Sequence, residues 1–295
     1  MPELPDVTVY VEALERQVGD RRLERVRTMN PFVLRSFDPP LEAVAGRRVV
    51  GLRRIGKRIV LDMGDGLFIV IHLMIAGRLA WKGPEAKSKK PAPNTIAAFE
   101  FDNGTLYFTE AGTKRRASLT VVRGEEALRA LDPGGIEPLT CTPEEFGAAL
   151  QKESHTLKRS LTDPHLFSGI GNAYSDEILH AAKLSPMKLT RTLTGEEILR
   201  LHRATRQTLA RWTELLRAEA KGGFPEKVTA FHPTMAVHGR YKLPCPACGS
   251  PVQRIVYAEN ECNYCARCQT GGRLLADRSL SRLLKDDWPK SIDDL

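Results

Sequence analysis

The chain has 295 residues, 42% hydrophobic and 27% charged, which is enough apolar material for a sizeable core and excludes disordered and fibrous classes. Lys and Arg number 44 against 36 Asp and Glu, and the formal charge of +8 favours an anionic partner without naming one. No stretch approaches the roughly 18 apolar residues of a spanning helix, and MPELPDVTVYVEALE carries early acids and prolines where a secretion signal has a basic flank, so a cytoplasmic protein is expected.

Val7, Val11, Leu14 and Val18 recur at spacings of four, three and four, which predicts a leading helix that ends near Gly19. Six β-rich runs follow: 49–54, 58–63, 67–72, 95–101, 105–109 and 118–122. Gly64-Asp65-Gly66 and Asp102-Asn103-Gly104 punctuate them, as in the hairpins of a sandwich or barrel. Between two runs, KGPEAKSKKPAPN (82–94) has three prolines, four lysines and no apolar period, and reads as a basic loop.

From residue 140 the period becomes helical. Thr142-Pro143-Glu144-Glu145 and Thr194-Gly195-Glu196-Glu197 are capping boxes. The second opens a helix carrying Ile198, Leu201, Thr205, Leu209 and Trp212 on one face and reaching about Ala220. A helical domain is therefore expected over about 140–220. After the cysteine-rich segment, a short helix around 280–284 precedes a solvated acidic end.

Five of the six cysteines fall between Cys245 and Cys268, which is not the spread of a disulfide framework. Cys245-Pro-Ala-Cys248 and Cys265-Ala-Arg-Cys268 are two CxxC knuckles 16 residues apart, a spacing that gathers four thiolates around one tetrahedral zinc. Redox cysteines or an iron site are the competing readings, and Cys262 is an alternative to Cys265 that lacks the two-residue spacing. A closed thiolate shell leaves no open position, so the metal is structural. Arg240, Lys242, Arg254, Arg267 and Arg273 surround the hairpin and suit a polyanion.

MPELPDV at the start, GIGNAYSDEIL at 169–179, and VHGRYKLPCPACG with NYCARCQ at the end resemble, in this order, the formamidopyrimidine-DNA glycosylase and endonuclease VIII family, up to about Arg273. The resemblance implies a multidomain α+β chain: an N-terminal β-sandwich with a leading helix (1–135), a helix-two-turns-helix domain (136–232) and a four-cysteine zinc finger (233–275), followed by a tail (276–295). It also implies double-stranded DNA with a damaged base or abasic site as partner, bound between the two halves by a monomer. The activity implied is that of a bifunctional glycosylase and abasic-site lyase. A DNA-binding protein of the same fold with lost or altered chemistry is the alternative.

In that family the initiator methionine is removed and the following proline attacks the anomeric carbon of the damaged nucleoside. Here that residue is Pro2. An exposed α-amine titrates near about 7.7 to 8 and so keeps a neutral fraction at physiological pH. Glu3 matches the family's carboxyl for ring-oxygen protonation, Asp6 replaces a usual glutamate, and Lys57 matches the β-domain lysine directed at the lesion. Asn172 and Lys158 match phosphate-contacting residues of the helical domain, at a helix start that suits an anion.

The chain departs from the family in the groups that fill the stack vacated by a flipped base. Ile75 stands at the wedge position of an HxGM-type turn, with Met74 beside it as a second candidate. Arg115 and Arg116 are the candidates in a loop that lacks the usual phenylalanine. Asn260, between Glu259 and Glu261, replaces a phosphate-gripping arginine, which removes a charge-assisted contact worth about 1.5 to 3 kcal/mol; Arg254 is a candidate to compensate. The segment Gly222–Val228 keeps the glycines of a lesion-capping loop but not the rest of its pattern.

Overall fold

In the computed structural model, which describes residues 1–86, 91–112, 114–225, 231–257, 260–276, 282–284 and 289–294, the leading helix α1 spans Leu4–Val18. Glu3 caps it, Pro5 occupies its first turn, where a missing N–H is harmless, and Gly19 ends it. A Cβ at Gly19 would lie 2.4 Å from the Glu15 carbonyl oxygen. Val7, Leu14 and Val18 are fully buried as their spacing predicts, joined by Tyr10, while Val11 is only partly covered.

Among the described residues of the first half, eight strands form two antiparallel sheets. Strands β1 (Leu23–Thr28), β5 (Gly77–Lys82), β6 (Thr95–Phe101) and β7 (Gly104–Glu110) align in the order β1-β6-β7-β5. Strands β2 (Gly51–Ile55), β3 (Arg58–Asp62), β4 (Leu67–His72) and β8 (Ser118–Arg123) align as β2-β3-β4-β8. Phe99, Phe101, Leu106 and Phe108 from the first sheet join Ile59, Leu61, Ile69, Ile71, Leu119 and Val121 from the second in one core with the apolar face of α1. The sandwich is the expected one.

Two strands escape the sequence pattern, β1 and β5, and both are edges of the same sheet. Edge strands carry charge instead of apolar alternation; here Glu24, Arg25, Arg27, Arg78 and Lys82 interrupt the pattern. Arg27 pairs with Glu100 across β1 and β6 at 2.6 Å. The opposite case is β3 and β4, whose near-continuous apolar runs arise because both faces are covered: Val60, Phe68 and Val70 pack on Leu128 of the short helix α2 (Glu125–Arg129).

The backbone separates into two compact units, Met1–Pro133 with the stretch beginning at Trp212, and Gly134–Arg211 with the C-terminal part of the chain. The second unit holds α3 (Pro143–Gln151), α4 (Leu157–Thr162), α5 (Asn172–Ala181) and the first part of α6 (Gly195–Ala220). Both capping boxes form as expected: Thr142 with Glu145, and Thr194 with Glu197. Phe146 and Phe167, 4.7 Å apart at their ring centroids, centre its core.

The cysteine segment folds into β9 (Gln253–Tyr257), β10 (Asn260–Tyr264) and α7 (Ala266–Thr270). The chain end departs from the solvated reading. Ile292 is buried with Ile255, Tyr264, Leu274 and Leu275, the Leu274 N–H donates to the Lys290 carbonyl at 2.9 Å, and Arg267 pairs with Asp293. One isoleucine among acids anchors the segment, a signal too small for a periodicity argument. Of the helix expected at 280–284, residues 280 and 281 lie outside the described residues, and 282–284 are helical.

Candidate active site

The N-terminus of α1 enters the sandwich as a buried polar cluster. Pro2 is buried, and Glu3 and Asp6 are 1% and 2% exposed. The two acids cap the helix reciprocally: the Glu3 N–H donates to Asp6 Oδ2 at 2.8 Å, and the Glu3 carboxylate accepts the Asp6 N–H. Asp6 Oδ1 is buried without a hydrogen-bond partner. Burial pushes the Asp6 carboxyl up to about 7, the Glu3 N–H opposes this, and the Glu3 charge adds to it.

Four charged side chains bear electrostatically on the chain start. Burial lowers the basicity of the Met1 α-amine; Glu3 and Asp6 act against that, and Arg78 and Lys57 add to it. Lys57 occupies the tight turn joining β2 to β3, where Ile55 faces Arg58, and is half-buried. His72, at the end of β4, is held neutral: burial first, then Arg58 and Lys57, bring its pKa down to about 4. Arg78, which motif reasoning missed, has no sequence signal beyond being a cation on an edge strand.

The turn after β4 separates the two wedge candidates. The Gly77 N–H donates to the Leu73 carbonyl at 2.8 Å, and a Cβ at Gly77 would stand 2.3 Å from that oxygen, so only glycine closes the turn. Arg78 donates to the Ile75 and Gly77 carbonyls at 3.1 and 2.7 Å. Ile75 at the apex is 61% exposed, whereas Met74 takes a positive φ of 51° and is half-buried.

Arg115 and Arg116 are exposed on the loop after β7, of which Thr113 lies outside the described residues. Glu110, 3% exposed at the end of β7, organises this loop: its Oε1 accepts the N–H groups of Arg116 and Ala117 at 2.8 and 2.9 Å. Sequence reasoning gave Glu110 no role, because an acid at a strand end carries no periodic signal. In the 222–228 segment, Phe224 packs on Tyr10 with ring centroids 5.7 Å apart, and residues 226–228 lie outside the described residues.

In the second unit, Lys158 and Asn172 lie in direct contact, an arrangement their spacing does not reveal. Lys158 Nζ donates to the Asn172 carbonyl (2.6 Å), Ser175 Oγ (2.8 Å) and Asp176 Oδ1 (2.5 Å), which occupies all three ammonium protons. Asp176, fully buried at its side chain, also accepts His238 Nδ1 at 2.7 Å and the Asn263 N–H at 3.1 Å. Asn172 Nδ2 donates to the Glu261 carbonyl at 2.8 Å.

The sulfurs of Cys245, Cys248, Cys265 and Cys268 lie within 4.8 Å of one another, with 3.9 Å between Cys245 and Cys268 and 3.4 Å between Cys248 and Cys265. A tetrahedral zinc with bonds of about 2.3 Å spaces its sulfurs about 3.8 Å apart, so these residues fit one structural ion. Cys262 stands outside the group, buried, with its thiol pushed up by burial and by Asp176. Arg254 is exposed on β9, 4.3 Å above the Tyr241 ring and 3.4 Å from Glu261 Oε2. Asn260 opens β10 opposite Tyr257, beside residues 258 and 259, which lie outside the described residues.

Compared with known proteins, residues 1–116 match the formamidopyrimidine-DNA glycosylase N-terminal domain and residues 135–219 the formamidopyrimidine-DNA glycosylase H2TH domain. The formamidopyrimidine-DNA glycosylase of Thermus thermophilus is 34% identical over 92% of this chain and 100% of its own length. That of Desulforamulus reducens is 32% identical over 91% and 99%. The crystal structure of the Thermus thermophilus MutM (Fpg) protein aligns with a TM-score of 0.76 over 91% of this chain and 98% of that one, at 34% identity. A Lactococcus lactis Fpg bound non-covalently to DNA containing an abasic site shares the fold, with a TM-score of 0.79 over 91% and 99% at 23% identity.

Proposed function

The chain belongs to the formamidopyrimidine-DNA glycosylase family, and on that premise we propose that it is a base-excision-repair enzyme that removes an oxidised or ring-opened base from double-stranded DNA and cleaves the strand at the resulting abasic site. The observation that carries the reading is the buried, reciprocally hydrogen-bonded pair of Glu3 and Asp6 directly beside Pro2 at the chain start. Two buried carboxyls beside the residue that becomes N-terminal supply its amine with a proton donor and a proton acceptor.

With Met1 removed, Pro2 carries a secondary amine. Its nitrogen lone pair forms a bond to C1′ as the C1′–N bond to the damaged base breaks; the base leaves with that electron pair, and the proton released from the alkylated proline nitrogen neutralises it. Glu3, next in the chain, delivers a proton to the ring oxygen as the C1′–O4′ bond opens, leaving an iminium ion on the sugar. The iminium makes the C2′ proton acidic; loss of that proton and of the 3′ phosphate cleaves the strand, and water hydrolyses the iminium to restore the amine. Asp6, titrating near 7, holds or accepts a proton beside the same amine at physiological pH.

Lys57 meets the lesion or its phosphate, and Ile75 at the exposed apex enters the vacated stack. Arg115 or Arg116 faces the orphan strand from the loop that Glu110 holds. Asn172 and the first backbone N–H groups of α5 form a phosphate seat, with Lys158 bracing the helix start through Asp176, and Arg254 contacts the backbone from the zinc hairpin, whose ion has a folding role. The compartment that fits is the bacterial cytoplasm, at the nucleoid; the relatives compared are bacterial.

Borohydride reduction of the iminium tests this reading. The mature protein is expected to form a covalent adduct with abasic or oxidised duplex, and Pro2→Gly to lose most of it; full trapping without Pro2 removes the assigned nucleophile. Binding of abasic duplex with neither base release nor nicking in a single turnover would instead identify a damage-binding protein.

A further inference from the structure

Asn172, Asp176 and His180 recur every fourth residue along α5 and therefore share one face of the helix. Each contacts the zinc module. Asn172 donates to the Glu261 carbonyl, Asp176 accepts the Asn263 N–H, and His180 Nε2 lies 3.3 Å from Cys245 Sγ. The first two contacts fix β10 by its backbone. The third reaches a metal ligand directly.

Cys245 is 2% exposed, so its sulfur is closed to solvent donors. A thiolate bound to zinc carries no proton, so in the metal-bound protein the hydrogen of the His180–Cys245 contact belongs to the imidazole. We propose that His180 is a positioning residue of the zinc site, donating its Nε2–H to the Cys245 thiolate and tying the first CxxC knuckle to the face of α5 that also carries Asn172. The bond fixes the tautomer and ring orientation of His180 and spreads charge away from the sulfur, as hydrogen bonds to metal ligands generally do. The inference rests on zinc occupying the four-cysteine site and is independent of the glycosylase chemistry.

The donor is separated from packing by two variants of the zinc-loaded full chain. His180→Phe keeps a ring of similar size without a donor, and His180→Gln keeps a donor without the ring. In competition against a chromogenic chelator, His180→Phe is expected to weaken zinc binding about 10- to 100-fold, and His180→Gln to retain most of the wild-type affinity. Wild-type affinity in His180→Phe overturns the proposal, and so does an equal loss in both variants, which would mark a packing role. If His180→Phe fails to fold, wild-type protein loaded with cadmium-113 decides: a scalar coupling between the metal and the His180 Nε2 proton is expected, and its absence with the proton found on Nδ1 overturns the assignment.

Discussion

The Lys158 ammonium lies 2.5 Å from Asp176 Oδ1, while the other oxygen of that carboxylate accepts His238 and the Asn263 N–H. One buried acid thus joins α4, α5 and the zinc hairpin. Removing it strands a largely buried ammonium whose remaining partners are neutral. Asp176→Ala is expected to lower stability by about 3 to 5 kcal/mol, measured by urea denaturation of the zinc-loaded protein. A change within experimental error would mean that Lys158 finds water instead.

Glu110 predicts a local effect. Its carboxylate holds two backbone N–H groups at the base of the loop bearing Lys114, Arg115 and Arg116. Charge-assisted hydrogen bonds of this kind contribute about 1.5 to 3 kcal/mol each. Glu110→Ala is expected to accelerate tryptic cleavage after residues 114–116 while the circular dichroism of the sandwich stays unchanged. Borohydride trapping on lesion duplex should fall with it.

The exposure difference between Ile75 and Met74 distinguishes the two wedge candidates. Ile75→Ala is expected to weaken binding to abasic duplex by about tenfold, or ~1.4 kcal/mol, and Met74→Ala to leave it near wild type. Gly77→Ala, which drives a methyl into the Leu73 carbonyl, should cost as much as Ile75→Ala without touching the wedge side chain. Equal losses at residues 74 and 75 would count against a single wedge.

Asp6 makes stability depend on pH in a defined direction. Its carboxyl titrates near 7 in the fold against an ordinary value of 3.8, so the folded chain binds this proton more tightly than the unfolded one. The favourable contribution is complete below about pH 4, declines as pH rises toward 7, and above that leaves a constant penalty. Asp6→Asn retains an acceptor for the Glu3 N–H and removes the charge. It is expected to match wild type near pH 4 and to be more stable at pH 8 by on the order of 2 to 4 kcal/mol, read from denaturation at the two pH values.

Metal removal distinguishes the cysteines. Cys248→Ala is expected to abolish stoichiometric zinc and to unfold the hairpin of β9 and β10, because a small thiolate site folds with its ion. Cys262→Ala should keep one zinc per chain. Metal analysis and the tryptic susceptibility of residues 253–264 measure both outcomes.

Much of this molecule is legible without coordinates wherever the information is local and periodic. The stripe on α1, the two capping boxes and the paired CxxC knuckles each depend on residues a few positions apart, and they form as their spacing implies. The edge strands β1 and β5 were illegible because half of each faces solvent, where charge replaces the alternating apolar pattern. The folded chain end was illegible because, among its described residues 289–294, the buried Ile292 stands alone and has no period.

By itself the sequence determined the leading helix, the β-rich half followed by helices and the thiolate metal site, which follow from spacing along the chain, and its motifs carried the resemblance that implied the family and the shortlist of reactive residues. Tertiary structure alone set the surroundings of the shortlisted groups. It left Ile75 exposed and Met74 half-buried, committed the Lys158 ammonium to Asp176, and gave Glu110, Arg78 and His180 their partners. The reason is that a hydrogen bond or an exposed apex depends on distances across the fold, and residues 7, 18 or 65 positions apart acquire those distances only when the core closes.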